Sequence, residues 1–451
     1  MRNNVDLLNG SIARSLAKLA LPIMGTSLIQ MAYNLTDMLW IGRLGSNAVA
    51  SVGVAGMYIW LSVGVTMLAR MGGQVLTGQS IGAGNKDQAA QYAASALQMG
   101  TLLGLLYSFI SVLFNSQLIG FFNLSGESVI KDAQWYLVIT CGMIIFNFLN
   151  QILTGLMAAM GNSILTFRST TIGLFINLIL DPVMIFGIGP FPVLGVKGAA
   201  IATVFAQIIV FTIYFFHIYH DPIIFSKKYL FHSVSTEKMK DIISVGLPAA
   251  LQNIFFTSIS MVLSRLIAGW GDAAIAVQRV GSQIESISWM TAEGFGTAVN
   301  AFTAQNFGAG KHDRVKKGYH TALKIMCTWG TFTSLMLLLF PEALFTLFIR
   351  ESDVISMGVD YLRILGFSQL FMCMEATSAG SFQGLGKSLP PSIIGITFNL
   401  LRSPFAILLS STILKLNGIW WAITMTSICK GTILSIMLIF YMRRLFGHKK
   451  N

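Results

Sequence analysis

Stretches of about 20 apolar residues, the length that crosses a bilayer as a helix, recur along the whole chain. Twelve stand out: 15–41, 49–79, 91–114, 134–158, 164–188, 198–220, 242–268, 273–304, 318–340, 357–382, 390–413 and 418–441. Short polar connections separate them. The longest, 221–241, is too short to fold alone. The pattern predicts an all-α polytopic membrane protein with twelve transmembrane helices and no soluble domain. The first run is long and turns polar in its second half, so it reads as a retained helix rather than a cleaved signal peptide.

Composition agrees. Hydrophobic residues make up 54% and charged residues 11%, against about 25% charged in soluble domains. The formal net charge is +12, but its distribution argues against a nucleic-acid partner. Alternate connections carry Arg2, Arg14 and Lys18; Lys86; Arg168; Lys227, Lys228, Lys238 and Lys240; Lys311, Arg314, Lys316 and Lys317; Lys387; Arg443, Arg444, Lys449 and Lys450. The opposite connections carry only Arg43, Lys131, Lys197, Arg350 and Lys415. Such a bias places the basic side in the cytoplasm, and both termini with it. The four cysteines lie in apolar runs, far apart and without a C-x-x-C pair, and read as small packing residues.

The chain also repeats itself. LPIMGTSL at 21 matches LPAALQNI at 247, an offset of 226 residues, and the same offset carries QSIGAGNK (79–86) onto QNFGAGKH (305–312) and WYLVI (135–139) onto YLRIL (361–365). Further on the register slips: NLILDP (177–182) meets NLLRSP (399–404), and GAAIA (198–202) meets GIWWA (418–422). The repeat predicts two six-helix lobes, 1–220 and 242–451, joined by a cytoplasmic loop at 221–241. With six helices each, the lobes would share one orientation, related by a pseudo-twofold axis along the membrane normal with a cavity between them.

Against that apolar background a few polar residues carry the chemistry. Asp37 and Asp181 are carboxylates inside apolar runs, where charge is costly and rarely present without a task. Their repeat partners are Leu263 and Ser403, so the acid pair belongs to the N-terminal half alone. Gln30, Tyr33, Asn34 and Asp37 are spaced to share one helix face, and Asn177 and Asp181 are one turn apart. Pro182 has no N–H, which frees the carbonyl of Leu178. Asn147, Asn150, Gln151 and Thr203 could complete a polar cluster suited to a proton or a hard cation. The second half has its own set: Arg265, Arg279, Glu285, Glu293, Asn300, Arg363, Glu375 and Arg402. Some of these must pair internally; the alternative for one or two of them is contact with substrate. The turns GAGNK (82–86) and GAGKH (308–312) lack the phosphate-loop pattern and read as helix caps. No nucleophile–base motif or cofactor fingerprint appears.

At this point the chain resembles the MATE (multidrug and toxic compound extrusion) transporters over nearly its full length. The matching stretches include NLTDMLWIGRLG (34–45), QSIGAGN (79–85), NLILDPVMIFGIG (177–189), GVKGAAIAT (195–203), LPAALQN (247–253), QNFGAGK (305–311) and FQGLGKS (382–388). The resemblance implies substrate efflux driven by entry of H⁺ or Na⁺, with no cofactor. In the DinF-like branch the coupling site is built around a helix-1 acid and a helix-5 Asn and Asp, here Asp37, Asn177 and Asp181, with Tyr33, Asn150 and Thr203 as companions. Any Na⁺ would sit on those same three residues. The NorM-like branch uses a helix-7 glutamate and a helix-10 aspartate; this chain has Phe256 or Thr257 and Met372 there, with Glu375 one turn on. The expected activity is multidrug antiport of amphipathic, aromatic, cationic compounds by a monomer in a bacterial cytoplasmic membrane. Gln30, Asn34, Arg279, Glu285, Glu293 and Glu375 are the candidate substrate contacts. The rival reading is a flippase or exporter of lipid-linked, oligosaccharide or organic-acid substrates.

Overall fold

The computed structural model describes residues 5–122, 124, 126–219, 221, 223–224, 229, 235–348 and 352–447. Arg2, Lys227, Lys228, Arg350, Lys449, Lys450 and much of the 221–241 connection lie outside these. In the first half the helices are α1 (Ile12–Gly42), α2 (Ser46–Gly82), α3 (Lys86–Leu113), the short α4 (Asn115–Gly120), α5 (Glu127–Gly142), α6 (Ile145–Ala159), α7 (Ser163–Phe186) and α8 (Val196–Ile218). In the second they are α9 (Thr236–Ala268), α10 (Asp272–Gly308), α11 (His312–Leu339), the short α12 (Pro341–Thr346), α13 (Ser352–Gly366), α14 (Gln369–Gly384), α15 (Leu389–Ser410) and α16 (Leu416–Gly447).

Helices cover all twelve apolar runs. Among the described residues nine are long and apolar enough to cross a membrane, and α5 with α6, bent by 47° at their break, makes a tenth. The two remaining runs are less apolar for an identifiable reason. Arg279, Glu285 and Glu293 dilute α10; the α13–α14 run is interrupted at Phe367–Ser368 and carries Arg363 and Glu375. These helices lie against each other: α10 packs along α14 and against α13. At Gly296 and Gly380 the two backbones come so close that a Cβ on either would meet the other's main chain. Of the charged groups on these helices, protein covers most of Glu285 and Glu375, while Arg279, Glu293 and Arg363 stay exposed. Elsewhere large apolar side chains such as Phe109, Ile179, Leu408 and Phe440 are exposed, as a surface solvated by hydrocarbon requires.

Packing divides the chain into two compact units, one built on Gly25–Ala250 and the other on Asp6–Met24 with the residues from Leu251 on. The seams fall inside α1 and α9, close after the repeat-related Pro22 and Pro248, rather than in the 221–241 connection. Local contacts explain the division. Gly294 of α10 lies against the backbone of Met24, and Gly246 of α9 against that of Leu68. Within each unit the helix pairs correspond. In the first, α6 packs on α2, α3 and α8, and α7 on α8; in the second, α14 packs on α10, α11 and α16, and α15 on α16.

The glycine-rich turns are helix caps, as the sequence suggests. Gly84 (φ 76°) and Gly310 (φ 69°) take the left-handed conformation that a C′ residue needs. Around Gly84, the amide of Asn85 donates to Ser80 O and that of Gly84 to Ile81 O, each at 3.0 Å. Around Gly310, Lys311 donates to Asn306 O at 2.9 Å and Gly310 to Phe307 O at 3.0 Å. Asn85 then caps the next helix by accepting from the Gln88 amide at 3.0 Å.

Candidate functional site

The first unit gathers the N-terminal polar residues. On α1, Tyr33 and Asp37 are one turn apart and half-buried, while Gln30 and Asn34 on the other flank of that face are exposed. The four-residue face therefore splits: one flank enters the unit and the other leaves it. On α7, Asn177 and Asp181 are buried, and Asn177 Nδ2 donates to Asp181 Oδ1 at 3.1 Å. The charges of Asp37 and Asp181 act on each other, and both act on Tyr33 of α1 and Tyr136 of α5. Thr203 of α8 adjoins Tyr33. Asn150 of α6 is held one helical turn from Thr203: its Nδ2 donates to the backbone O and to Oε1 of Gln207, both at 2.9 Å. Gln151 Nε2 donates to Asn147 Oδ1 at 2.7 Å.

The cluster is defined by what it leaves unsatisfied. Tyr33 Oη, Asp37 Oδ1, Asn150 Oδ1, Asn177 Oδ1, Asp181 Oδ2 and Thr203 Oγ1 are buried without a hydrogen-bond partner. One such atom costs about 1–3 kcal/mol. Four of the six are carboxylate or amide oxygens, which only accept while the acids are ionised. No basic side chain among the described residues acts on Asp37 or Asp181. An excess of oxygen acceptors around two carboxylates fits a cation. A proton on either acid turns it into a donor, and Na⁺, which takes several oxygens, suits the same atoms together with the freed Leu178 carbonyl. Among the described residues no group of three or more His, Cys, Asp and Glu could hold a metal ion.

The second unit is arranged differently. Lys430 of α16 is ion-paired with Glu375 of α14 at 3.0 Å, and both are largely buried. Glu285 of α10 accepts from Gln369 Nε2 at 3.2 Å and from Tyr361 Oη at 3.4 Å. Buried Arg402 of α15 donates through Nε to Thr426 Oγ1 and through Nη2 to Ser427 Oγ, both at 2.9 Å, and its charge acts on Glu375, Glu285 and Lys430. Two acids are thus matched by two cations. Asn300 is buried in α10, whereas Arg265, Arg279, Glu293 and Arg363 are exposed. Glu285 and Glu375, expected among the substrate contacts, are engaged within this unit.

Sequence reasoning missed Tyr136 and Lys430, though both left a signal. Tyr136 pairs with Leu362 in the repeat and Lys430 with Val210. Each is a polar residue that one half has and the other lacks, the same criterion that singled out Asp37.

This chain belongs to the MatE family, whose model matches residues 22–183 and again 248–408. The two matches start 226 residues apart, the register of the internal repeat. It is 28% identical over 437 residues to the probable multidrug resistance protein NorM of Thermotoga maritima, covering 96% of this chain and 92% of that protein. It is 26% identical over 442 residues to the FAD transporter of Shewanella oneidensis, covering 96% and 95%. The fold matches that of a MOP superfamily transporter from Pyrococcus furiosus, with a TM-score of 0.90 at 22% identity over 99% of both chains. The chain is therefore a multi-pass membrane protein of a family of secondary transporters with bacterial relatives, all-helical, in the two-lobed architecture of twelve helices.

Proposed function

We propose that this protein is a multidrug efflux antiporter. It exports amphipathic, aromatic, cationic compounds from the bacterial cytoplasm in exchange for H⁺ or Na⁺ bound at Asp37, Asn177 and Asp181. One observation carries the reading: two carboxylates meet in the first unit among orphaned acceptors and, among the described residues, without a cationic partner, while the acids of the second unit already have theirs. We read the chain as nearer the DinF-like than the NorM-like branch, and this arrangement supports that reading. The relatives named for multidrug resistance support the drug substrate class. Tyr33, Asn150 and Thr203 complete the coupling site. Gln30, Asn34, Arg279 and Glu293, exposed on the helices, contact substrate, while Glu285 and Glu375 act from within their unit. The lobes are 1–220 and 242–451, with the 221–241 connection and both termini in the cytoplasm, and the monomer is the working form. Ion and substrate favour different states of an alternating-access cycle, and that differential affinity sets the coupling.

Efflux of a fluorescent organic cation from energised vesicles tests this, with the pH and sodium gradients collapsed in turn. Uphill efflux should stop with one of them and be absent in Asp37→Asn. A second reading, export of an organic anion, is favoured by exposed Arg265, Arg279 and Arg363 and by the relative named an FAD transporter. Transport of an acidic compound lost on Arg279→Gln, with cationic dyes unaffected, selects that reading instead.

A further inference from the structure

The second unit carries a basic groove that the ion-coupled cycle does not use. Lys316 and His320, one turn apart on α11, face Ile439, Met442 and Arg443 of α16 across a cavity of about 260 Å³. Every buried cation of the polar network described above has an acid near it. Here the reverse holds: among the described residues Lys316, His320 and Arg443 have no carboxylate at ion-pairing distance, and exposed Asp313, one turn before Lys316, forms no ion pair. Lys316 Nζ lies over the ring of Phe446 at 5.5 Å, which fixes its direction. Lys316 and Arg443 converge with no carboxylate beside them among the described residues, and His320 adds a ring nitrogen, so the groove favours an anion.

The shape narrows the choice. Both helices are long and apolar enough to span a membrane, and the basic groups lie in the first three turns of α11 and close to the end of α16, the level of lipid headgroups. One wall is apolar, with Met442 buried and Ile439 half-buried, and the face of α16 leading away from Arg443 continues through exposed Phe440, Ile436 and Ile433. A soluble phosphate would use the basic end and leave that track bare. We propose that the groove binds an anionic phospholipid, its phosphate between Lys316, His320 and Arg443 and an acyl chain along the Phe440–Ile433 face.

Lipid retention on the full-length protein tests this. Native mass spectrometry after delipidation and re-addition should show phosphatidylglycerol held in preference to phosphatidylcholine, with the preference fading at high salt. Lys316→Gln/Arg443→Gln should weaken retention roughly twenty-fivefold, the loss of two basic groups at about fivefold each, whereas Lys316→Arg/Arg443→Lys should keep most of it. Thermal stabilisation of the wild type should follow phosphatidylglycerol and not inorganic phosphate or glycerol phosphate. Equal retention of the two lipids by the wild type overturns the site without recourse to any variant. Stabilisation by inorganic phosphate equal to that by the lipid makes it a soluble-anion site and overturns the lipid assignment. Transport of the cationic dye in the double-Gln variant checks that the helices remain folded.

Discussion

The two units solve the same problem, polar groups inside apolar helices, in opposite ways. In the first, Asp37 and Asp181 share their surroundings with Tyr33, Tyr136 and Asn177, and several acceptor oxygens are left without a donor. In the second, Glu375 and Glu285 share their surroundings with Lys430 and Arg402, and the charges balance within the chain. The repeat makes the contrast direct. NLILDP in α7 becomes NLLRSP in α15: the aspartate gives way to Ser403, and an arginine appears where the first half has Leu180. A balanced buried network holds helices together. An unbalanced one needs something from outside, and that suits it to exchange an ion.

The strongest way to break this comparison is to remove charge from each unit and ask which loss costs activity and which costs stability. Asp37→Asn should reduce uphill efflux to the vesicle background while the protein inserts and melts as the wild type does. It deletes a carboxylate that is paired with no cation, and it keeps the shape. Glu375→Gln should do the opposite. It strands Lys430 in the interior, which costs about 3–5 kcal/mol when a buried pair loses one member, and a depressed melting temperature in detergent is the readout. Glu375→Gln/Lys430→Met should recover most of that loss, because replacing both partners by apolar or neutral groups is often neutral. Wild-type drug resistance in cells expressing Asp37→Asn at normal levels would erase the distinction between the units.

Ion binding sharpens the comparison further. A ligand present at a hundred times its Kd stabilises the state that binds it by about 2.7 kcal/mol. If Na⁺ is the coupling ion, adding it to purified wild type should raise the melting temperature, and the rise should vanish in Asp37→Asn/Asp181→Asn. In Glu375→Gln/Lys430→Met it should persist unchanged. If H⁺ couples instead, sodium should have no effect on any of the three, and proton release on substrate addition should follow the same order. A sodium response that survives loss of both aspartates but not of Glu285 would move the ion to the second unit.

Much of this was legible in the sequence, and the parts that were not share a cause. The twelve helices, the repeat and the cap turns at Gly84 and Gly310 follow from local patterns, and local patterns are what a sequence displays. Asp37 and Asp181 stood out because each lacks a partner in its repeat. Which acids find cations is a matter of which helices touch, so Glu375 could be named as a candidate but not paired with Lys430, 55 residues on. The split of the α1 face into an interior flank (Tyr33, Asp37) and an exposed one (Gln30, Asn34) was hidden for the same reason: spacing fixes a face, but its packing partner decides which edge is covered. The seams inside α1 and α9 were also out of reach, because contacts with Met24 and Leu68 set them rather than a change in composition.

The smallest expected effect concerns how the two glycine-capped turns are held. In the first unit Tyr229 Oη donates to Asp87 at 2.6 Å and Tyr92 Oη to Asp241 at 2.7 Å. In the second, the segment Asp6–Gly10 is gripped by cationic donors. Arg314 donates to the backbone oxygens of Leu7, Asn9 and Gly10 at 2.9–3.2 Å, and Lys311 Nζ donates to Leu8 O at 2.9 Å. The repeat partners of Arg314 and Lys311 are Gln88 and Asn85, so the cationic donors of this grip are not repeated at those positions of the first half. Asp6 shapes the segment. Burial works against its charge, but the Asn9 side chain, the Leu8 and Asn9 amides and the Arg314 charge outweigh that and hold its carboxyl below the ordinary value of 3.8. A lowered folded-state value means that the contribution is complete above the unfolded value and fades as pH falls through the folded one. The segment should therefore keep its protection against amide exchange at neutral pH and lose part of it only in acid, below about pH 4. Asp6→Asn should flatten that acid response, whereas Arg314→Gln should lower protection of residues 7–10 at every pH. Asp6 is mostly exposed, so solvent screening keeps the first effect small. Protection of the 82–86 turn should not change in either variant, and a matching loss there would show that the turns are not held independently.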